Sequence, residues 1–391
     1  LMAQSAGGRI KTYTVGFTST DTGPDNELLH ARHIAEHFAT DHHERILTPV
    51  DWWEGLERYA YYHDEPNANP SAISMLLLAE ETARHVKVVL TGLGGDELFG
   101  GYPFHHTIPA LLNGQNGWRS LLKPLAGPMG WLEQFYPAFK RYRGLGALPT
   151  YLPVLRHALL PPEEGLLRMQ SFDGMVFSDA LRDRLYGDDL KTAWTHAQHK
   201  EHTYAAILEK SHREDPANTA QALVINTWLT GNALLSQDKV TMAHSLEARV
   251  PFFDPALFDF AAKIPPAIRM KANKYVLRQA MQPYLPDFAL QRPKHPFSTP
   301  IRGWFEHALR ENIREVLLDN SALSRQLFNA NALESLLQGH FSGKEKHEEV
   351  VFRLLLLELW AQHFLQVKPA AQSHTSVTET DRASHSQSPA T

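Results

Sequence analysis

Val88 to Tyr102 reads VVLTGLGGDELFGGY, and this stretch decides the fold. A short apolar run, Val86 to Leu90, enters a loop carrying Gly92, Gly94, Gly95, Gly100 and Gly101 around the acidic pair Asp96 and Glu97. We read a buried strand that ends in a glycine loop, the place where an open α/β sheet puts its ligand. Glycine lets the backbone take positive φ and approach a phosphate, and a carboxylate holds Mg²⁺ by oxygen ligation. Taken alone, the loop fits a structural turn with a solvated acidic pair equally well, because glycine patterns recur by chance.

Working upstream, the pattern becomes β-α-β-α-β. Lys11 to Phe17 alternates and is β-branched, as a strand is, and Glu27 to Phe38 spaces Leu28, Ala31, Ile34, Ala35 and Phe38 as a helix does. His42 to Leu47 reads as a second strand and Val50 to Tyr62 as a helix opening at Pro49. Pro66 and Pro70 break the chain, and Ser71 or Ser74 is expected to cap a helix to about His85, ahead of the third strand. This order predicts an α/β fold with a doubly wound parallel sheet. The opening LMAQS reads as the tail of a helix already under way, so the sheet's first strand and helix are expected before Leu1.

Working downstream, strand signals vanish from Pro103 to about Ala233, where proline clusters separate amphipathic pieces, and helices are expected to continue to Gln366. We divide the chain into a domain over 1–367, with an α/β part at 1–102 and a mostly helical part at 103–367. The tail, 368–391, is too poor in apolar groups to repay ordering and is expected to be disordered.

The 391 residues are 43% hydrophobic, enough for a sizeable core. A net charge of −5, from 38 basic and 43 acidic residues, gives no reason to expect nucleic acid. Zero cysteines excludes disulfides, thiolate metal sites and a thiol nucleophile within this chain. No apolar run reaches the roughly 18 residues of a membrane span, and no signal peptide is visible, so a cytoplasmic location is the default. His42-His43, His63 and His105-His106 are read as surface or helix-end groups rather than zinc ligands, since neighbours on a strand point to opposite faces.

Two further runs follow in order: QDKVTMAHSLEARVPFFD at Gln237 to Asp254, and QRPKHPFSTP at Gln291 to Pro300. With the glycine loop they resemble the SGxGxDExFGGY, (D/N)K…EARVPFLD and RxKxxF runs of the synthetase domain of glutamine-dependent asparagine synthases, over nearly all of the chain to about Val367. The resemblance implies an adenine nucleotide alpha hydrolase-like fold of the ATP pyrophosphatase type. It implies an activity that uses ATP and Mg²⁺ to adenylate the β-carboxylate of aspartate, after which ammonia displaces AMP to give asparagine. It further implies a phosphate loop, SGGLDSS, and a glutaminase domain supplying ammonia, both upstream of Leu1, with a homodimer among the assemblies open to it.

Carried over by motif, Val15 and Gly16 line the adenine pocket, Thr91 and Gly92 border AMP, and Asp96 ligates Mg²⁺. By itself Val15 reads first as a core residue. Lys239 and Lys294 match two lysines near the triphosphate and the acyl-adenylate, a sound use of a mobile ammonium. Asp64-Glu65-Pro66 with Ser71 resembles the loop bordering the acyl substrate, and Gly94 and Gly95 lie beside it. Arg249 stands among apolar neighbours and is expected to pair with Glu247, Asp238 or Asp254. One departure matters. Leu93 replaces the family's usual Glu or Asp near the reacting acyl group, and Leu can neither carry a proton nor hold an ammonium. Glu247 is the candidate substitute. Another amide-forming relative, acting on a peptide, polysaccharide or beta-lactam precursor, or an inactive nucleotide-binding module, are the alternatives.

Overall fold

A computed structural model describes residues 1–18, 27–102, 179–196, 215–292 apart from 272, and 299–365, with positions 105, 177, 206, 207, 209, 210 and 297. Lys294, the expected disordered tail and most of the expected helical insert after Pro103 lie outside the described residues.

After one helical turn, α1 (Met2–Ser5), strands β1 (Lys11–Phe17) and β2 (Asp41–Leu47) run parallel, from Lys11 opposite Asp41 to Phe17 opposite Leu47. Parallel partners need a crossover, and α2 (Glu27–His37) supplies it. The helix lies so close that a Cβ on Gly16 would stand 2.4 Å from Cγ of Leu28. Helix α3 (Pro49–His63) opens with a Thr48–Asp51 capping box and Pro49 in its first turn.

Helix α4 (Pro70–Ala83) starts as expected but with a different cap. Asn69 accepts from the Ser71 amide, because Pro70 fixes the first helical position and leaves the residue before it as cap. Ser71 and Ser74 are inside the helix, with their hydroxyls turned to Phe297 and Thr299.

The third strand, β3 (Val88–Leu90), is shorter and barer than a buried central strand, with Val88 and Leu90 42% and 51% exposed. Among the described residues its ladder has one partner strand. After it come α5 (Gly95–Phe99) and α6 (Pro216–Val224). Helix α6 runs on through a π-helix, Ile225–Leu234, into α7 (Leu235–Met242) without leaving helical backbone angles. The helices do not continue unbroken to Gln366. Through a left-handed Ser245 (φ 55°) the chain enters β4 (Glu247–Arg249), the parallel partner of β3. The ladder is extended at both ends, by Glu247 N–H to Lys87 O and Thr91 N–H to Arg249 O.

The fold is therefore α/β, and its described strands make two two-stranded parallel ladders rather than one sheet. Helix α4 packs on the first ladder and on α7, and α7 packs on β4, so one helical layer spans both. Beyond lie α8 (Tyr275–Met281), α9 (Ile301–Glu306), α10 (Leu323–Leu327) and α11 (Glu348–Phe364). Trp52 of α3 is fully buried against Trp304 and Phe352, ring centroids 5.9 and 5.8 Å away. Truncating such a residue to Ala costs about 3–5 kcal/mol, so these distant helices are part of the scaffold that holds α3. Buried Glu358 of α11 accepts from the amides of Leu323 and Ser324, capping α10 from outside. No helix among the described residues is long and apolar enough to cross a membrane.

Candidate active site

The structure separates the two acids of the glycine loop. Glu97 is 1% exposed and is consumed by the loop itself. Its Oε2 accepts from Gly94 N–H at 3.0 Å and its Oε1 from the Tyr102 hydroxyl at 2.6 Å. Burial first, then the charge of Glu97, pushes the Tyr102 phenol up. Gly94 is left-handed (φ 99°), and a Cβ there would lie 2.5 Å from the ring of Phe253, so the EARVPFF run packs directly on the loop. Gln221 of α6 closes the back by donating to the carbonyls of Glu97 and Leu98.

Asp96 is different. Its carboxylate lies 3.0 Å from the ammonium of Lys274, and a Cβ on Gly101 would collide with its Oδ1. At the strand end, among the described residues, the Thr91 hydroxyl is buried without a hydrogen-bond partner and a Cβ on Gly92 would meet nothing within 4 Å. Open backbone at Gly92, a positive-φ turn and an orphan hydroxyl suit the close approach of a phosphate-bearing ligand. Among the described residues no three His, Asp or Glu gather to hold a metal ion. Mg²⁺ is commonly held by one or two carboxylates plus the substrate's phosphates, and Asp96 fits that use.

A second centre forms around Lys239 of α7. Its ammonium donates to His63 O at 2.6 Å and to the Asp64 carboxylate, 175 residues away in sequence. Asp64 is left-handed (φ 56°), and its carbonyl accepts from Trp360 Nε1 at 3.0 Å. The surface reading fails for His63 and His105, which are 0% and 1% exposed. Burial first, then the Lys239 charge, holds the His63 imidazole down to about 4. Its Nε2 is 3.0 Å from the Ser236 hydroxyl, and Ser236 leads through Asn232 of the π-helix to Asn69 at the α4 cap. Runs of π-helix are rare and recur at functional sites. Ser71 Oγ donates to Phe297 O at 3.0 Å, which ties the loop between α3 and α4 to the third motif as well as to the second.

Gly95 stays in the first centre, between Gly94 and Asp96 and against Phe252, whereas Val15 and Gly16 join neither: Val15 is buried in the main core and Gly16 packs on Leu28. Glu247 is exposed opposite Val88, at the start of the short ladder, with its carboxylate on Arg249 Nε at 2.8 Å. Arg249 thus finds one of its expected partners, but in solvent, where its charge is not buried and needs no partner to offset a burial cost. Lys274, Trp360 and the neutral His63 carry no local sequence signal and were missed. Lys274 is flanked by Asn273 and Tyr275, which with Arg278 and Arg292 line a polar cleft of about 400 Å³.

Residues 1–362 match the asparagine synthase family. A Mycobacterium tuberculosis protein, named provisionally as a glutamine-hydrolysing asparagine synthetase, is 32% identical over 367 residues, 92% of this chain and 51% of its own length. The glutamine-hydrolysing asparagine synthetase 1 of Bacillus subtilis is 28% identical over 356 residues, 90% of this chain and 52% of its own. The amidase chry2 of Gibberella zeae is 23% identical over 350 residues, 86% and 51% of the two chains. The chain spans about half the length of the curated relatives it matches. The chain belongs to the asparagine synthase family.

Proposed function

We propose that the protein makes asparagine: aspartate is adenylated by ATP on its β-carboxylate, pyrophosphate leaves, and ammonia displaces AMP. The observation that carries this reading is the division of labour at the loop, where Glu97 is spent on the loop's own hydrogen bonds while the Asp96 carboxylate, in the first turn of α5, meets the ammonium of Lys274. Thr91 and Gly92 border AMP, Val15 and Gly16 the adenine, and Asp64, Ser71, Gly94 and Gly95 the acyl substrate. Asp96 holds Mg²⁺, which when bound offsets phosphate charge. Lys239 is preorganised by His63 O and Asp64, so its charge is aimed before the reaction begins. Lys294 supplies a second charge, and Glu247 handles ammonia. On the same reading the two ladders belong to one doubly wound sheet of the ATP pyrophosphatase type, with residues 1–102 as the nucleotide part, 103–367 as the mostly helical part and 368–391 as a disordered tail. Ammonia comes from glutamine through a glutaminase domain, and the enzyme works in the cytoplasm, as a homodimer.

Leu93 favours a second reading, in which the acid is not aspartate but a peptide, polysaccharide or beta-lactam precursor; similarity to an amidase is compatible with it. The test supplies ATP, Mg²⁺, ammonium and aspartate and measures products. Asparagine, AMP and pyrophosphate in equal amounts are expected. Pyrophosphate release driven by another acid selects the second reading, and none with any acid leaves a nucleotide-binding module.

A further inference from the structure

We infer that Lys274 is a positioning residue that holds Asp96 in the metal-free protein and gives way to the divalent cation on binding. Its ammonium stands 3.0 Å from Asp96 Oδ1, and both side chains are mostly buried, at 27% and 17% exposure. Oδ1 itself is buried, closed by Lys274 and pressed against the Gly101 backbone, where a Cβ would come within 1.8 Å of it. A metal reaching this oxygen must take the ammonium's place, because two cations on one carboxylate oxygen repel strongly at such range.

The backbone beneath Lys274 is built to stay while the side chain moves. Lys274 is left-handed (φ 51°), an uncommon conformation for a lysine, and directly precedes α8. Val276 and Leu277 of that helix pack on Leu98 and Phe99 of the loop helix, and a Cβ on Gly100 would come within 2.4 Å of Met270 sulfur. Met270, Val276 and Leu277, on either side of Lys274, are therefore anchored to the glycine loop. A four-carbon arm on a fixed root can release the carboxylate and still reach phosphates that share the same metal. The site thus keeps its charge balanced with or without the ion.

The inference rests on Asp96 being the metal ligand, and the experiment separates the two claims. The protein is titrated with Mn²⁺ alone, and the free ion is followed by electron paramagnetic resonance. Asp96→Asn should abolish binding, Lys274→Met should tighten it about tenfold by removing a competing unit charge, and Lys274→Arg should leave it near the parental value. A purely structural Lys274 predicts the opposite sign, looser binding with the methionine. In the parental protein, acetylation of the Lys274 amine, read by mass spectrometry, should rise several-fold on adding Mg²⁺. Asp96-dependent binding that stays equal or weakens in Lys274→Met, with unchanged labelling, overturns the exchange alone. Parental binding that is absent, or unaffected by Asp96→Asn, overturns the metal reading of Asp96 and the exchange with it.

Discussion

Removing the Glu97 carboxylate tests whether the loop is held from within. Glu97→Ala removes the carboxylate that accepts from both Gly94 N–H and the Tyr102 hydroxyl in a place 1% exposed, and opens a void where the side chain stood. Losing a buried hydrogen bond to a charged group costs roughly 1.5–3 kcal/mol and the cavity adds to it, so a loss of about 4 kcal/mol is expected. Glu97→Gln should cost far less, about 1–2 kcal/mol. Its carbonyl can keep Gly94 and its amide can donate to a Tyr102 hydroxyl turned to accept, with charge assistance as the main loss. Urea unfolding gives the stabilities, and a cycle with Tyr102→Phe isolates the Glu97–Tyr102 pair, for which a coupling of about 1.5–3 kcal/mol is expected. An alanine variant within about 1 kcal/mol of the parent, or a coupling below about 0.5 kcal/mol, would refute the account of Glu97 as the loop's anchor.

Lys239→Ala, and likewise Lys294→Ala, should slow aspartate-dependent pyrophosphate release by roughly 10²-fold or more, the usual cost of an aimed charge; near-parental turnover in either would cancel that residue's role. Leu93→Glu should raise amide formation more than pyrophosphate release, unless desolvation among apolar neighbours keeps the new carboxyl neutral. A parent that already makes asparagine at ordinary rates, with no gain from the variant, would show that the family's carboxylate is not needed at Leu93. His63 should make stability fall as pH drops from about 6.5 toward about 4, because its imidazole is held down to about 4 when folded and protonates nearer 6.5 when unfolded. The unfolded chain binds the proton first, so acid favours it. His63→Gln should flatten that part of the stability profile, and an unchanged slope would assign it to other groups.

How legible the molecule is from sequence depended on whether the deciding contact was local. Strand β1, helix α2, strand β2 and helix α3 follow from alternation, helical spacing and a proline at a helix start, all within a few residues of one another. The α4 cap was misplaced by two residues or more because serine is a good cap in general, while the Pro70 next door already assigned the position to Asn69. Strand β4 was missed because three residues, Glu247 to Arg249, are too few to show a period, and what makes them a strand is β3, at a distance no window covers. The same holds, more sharply, for charge. Asp96 and Glu97 are adjacent and chemically alike; Glu97 is taken up by Gly94 and Tyr102 within the stretch, while Phe253 and Gln221, which press on the loop from outside it, are beyond any local window. Lys239 was legible through its motif, but the groups that fix its surroundings come from two distant segments, the His63 carbonyl and Asp64 carboxylate from one and the Trp360 indole from the other. Lys274 had no motif and reads as one more surface lysine. A charged side chain is free to be a solvated group until something distant removes it from water, so its role belongs to the packing that reaches it. That is why the weight of this site falls on pairs 175 residues apart or more, Lys239 with Asp64 and Trp360 with Asp64, and why substitutions that separate such pairs are the ones that test it.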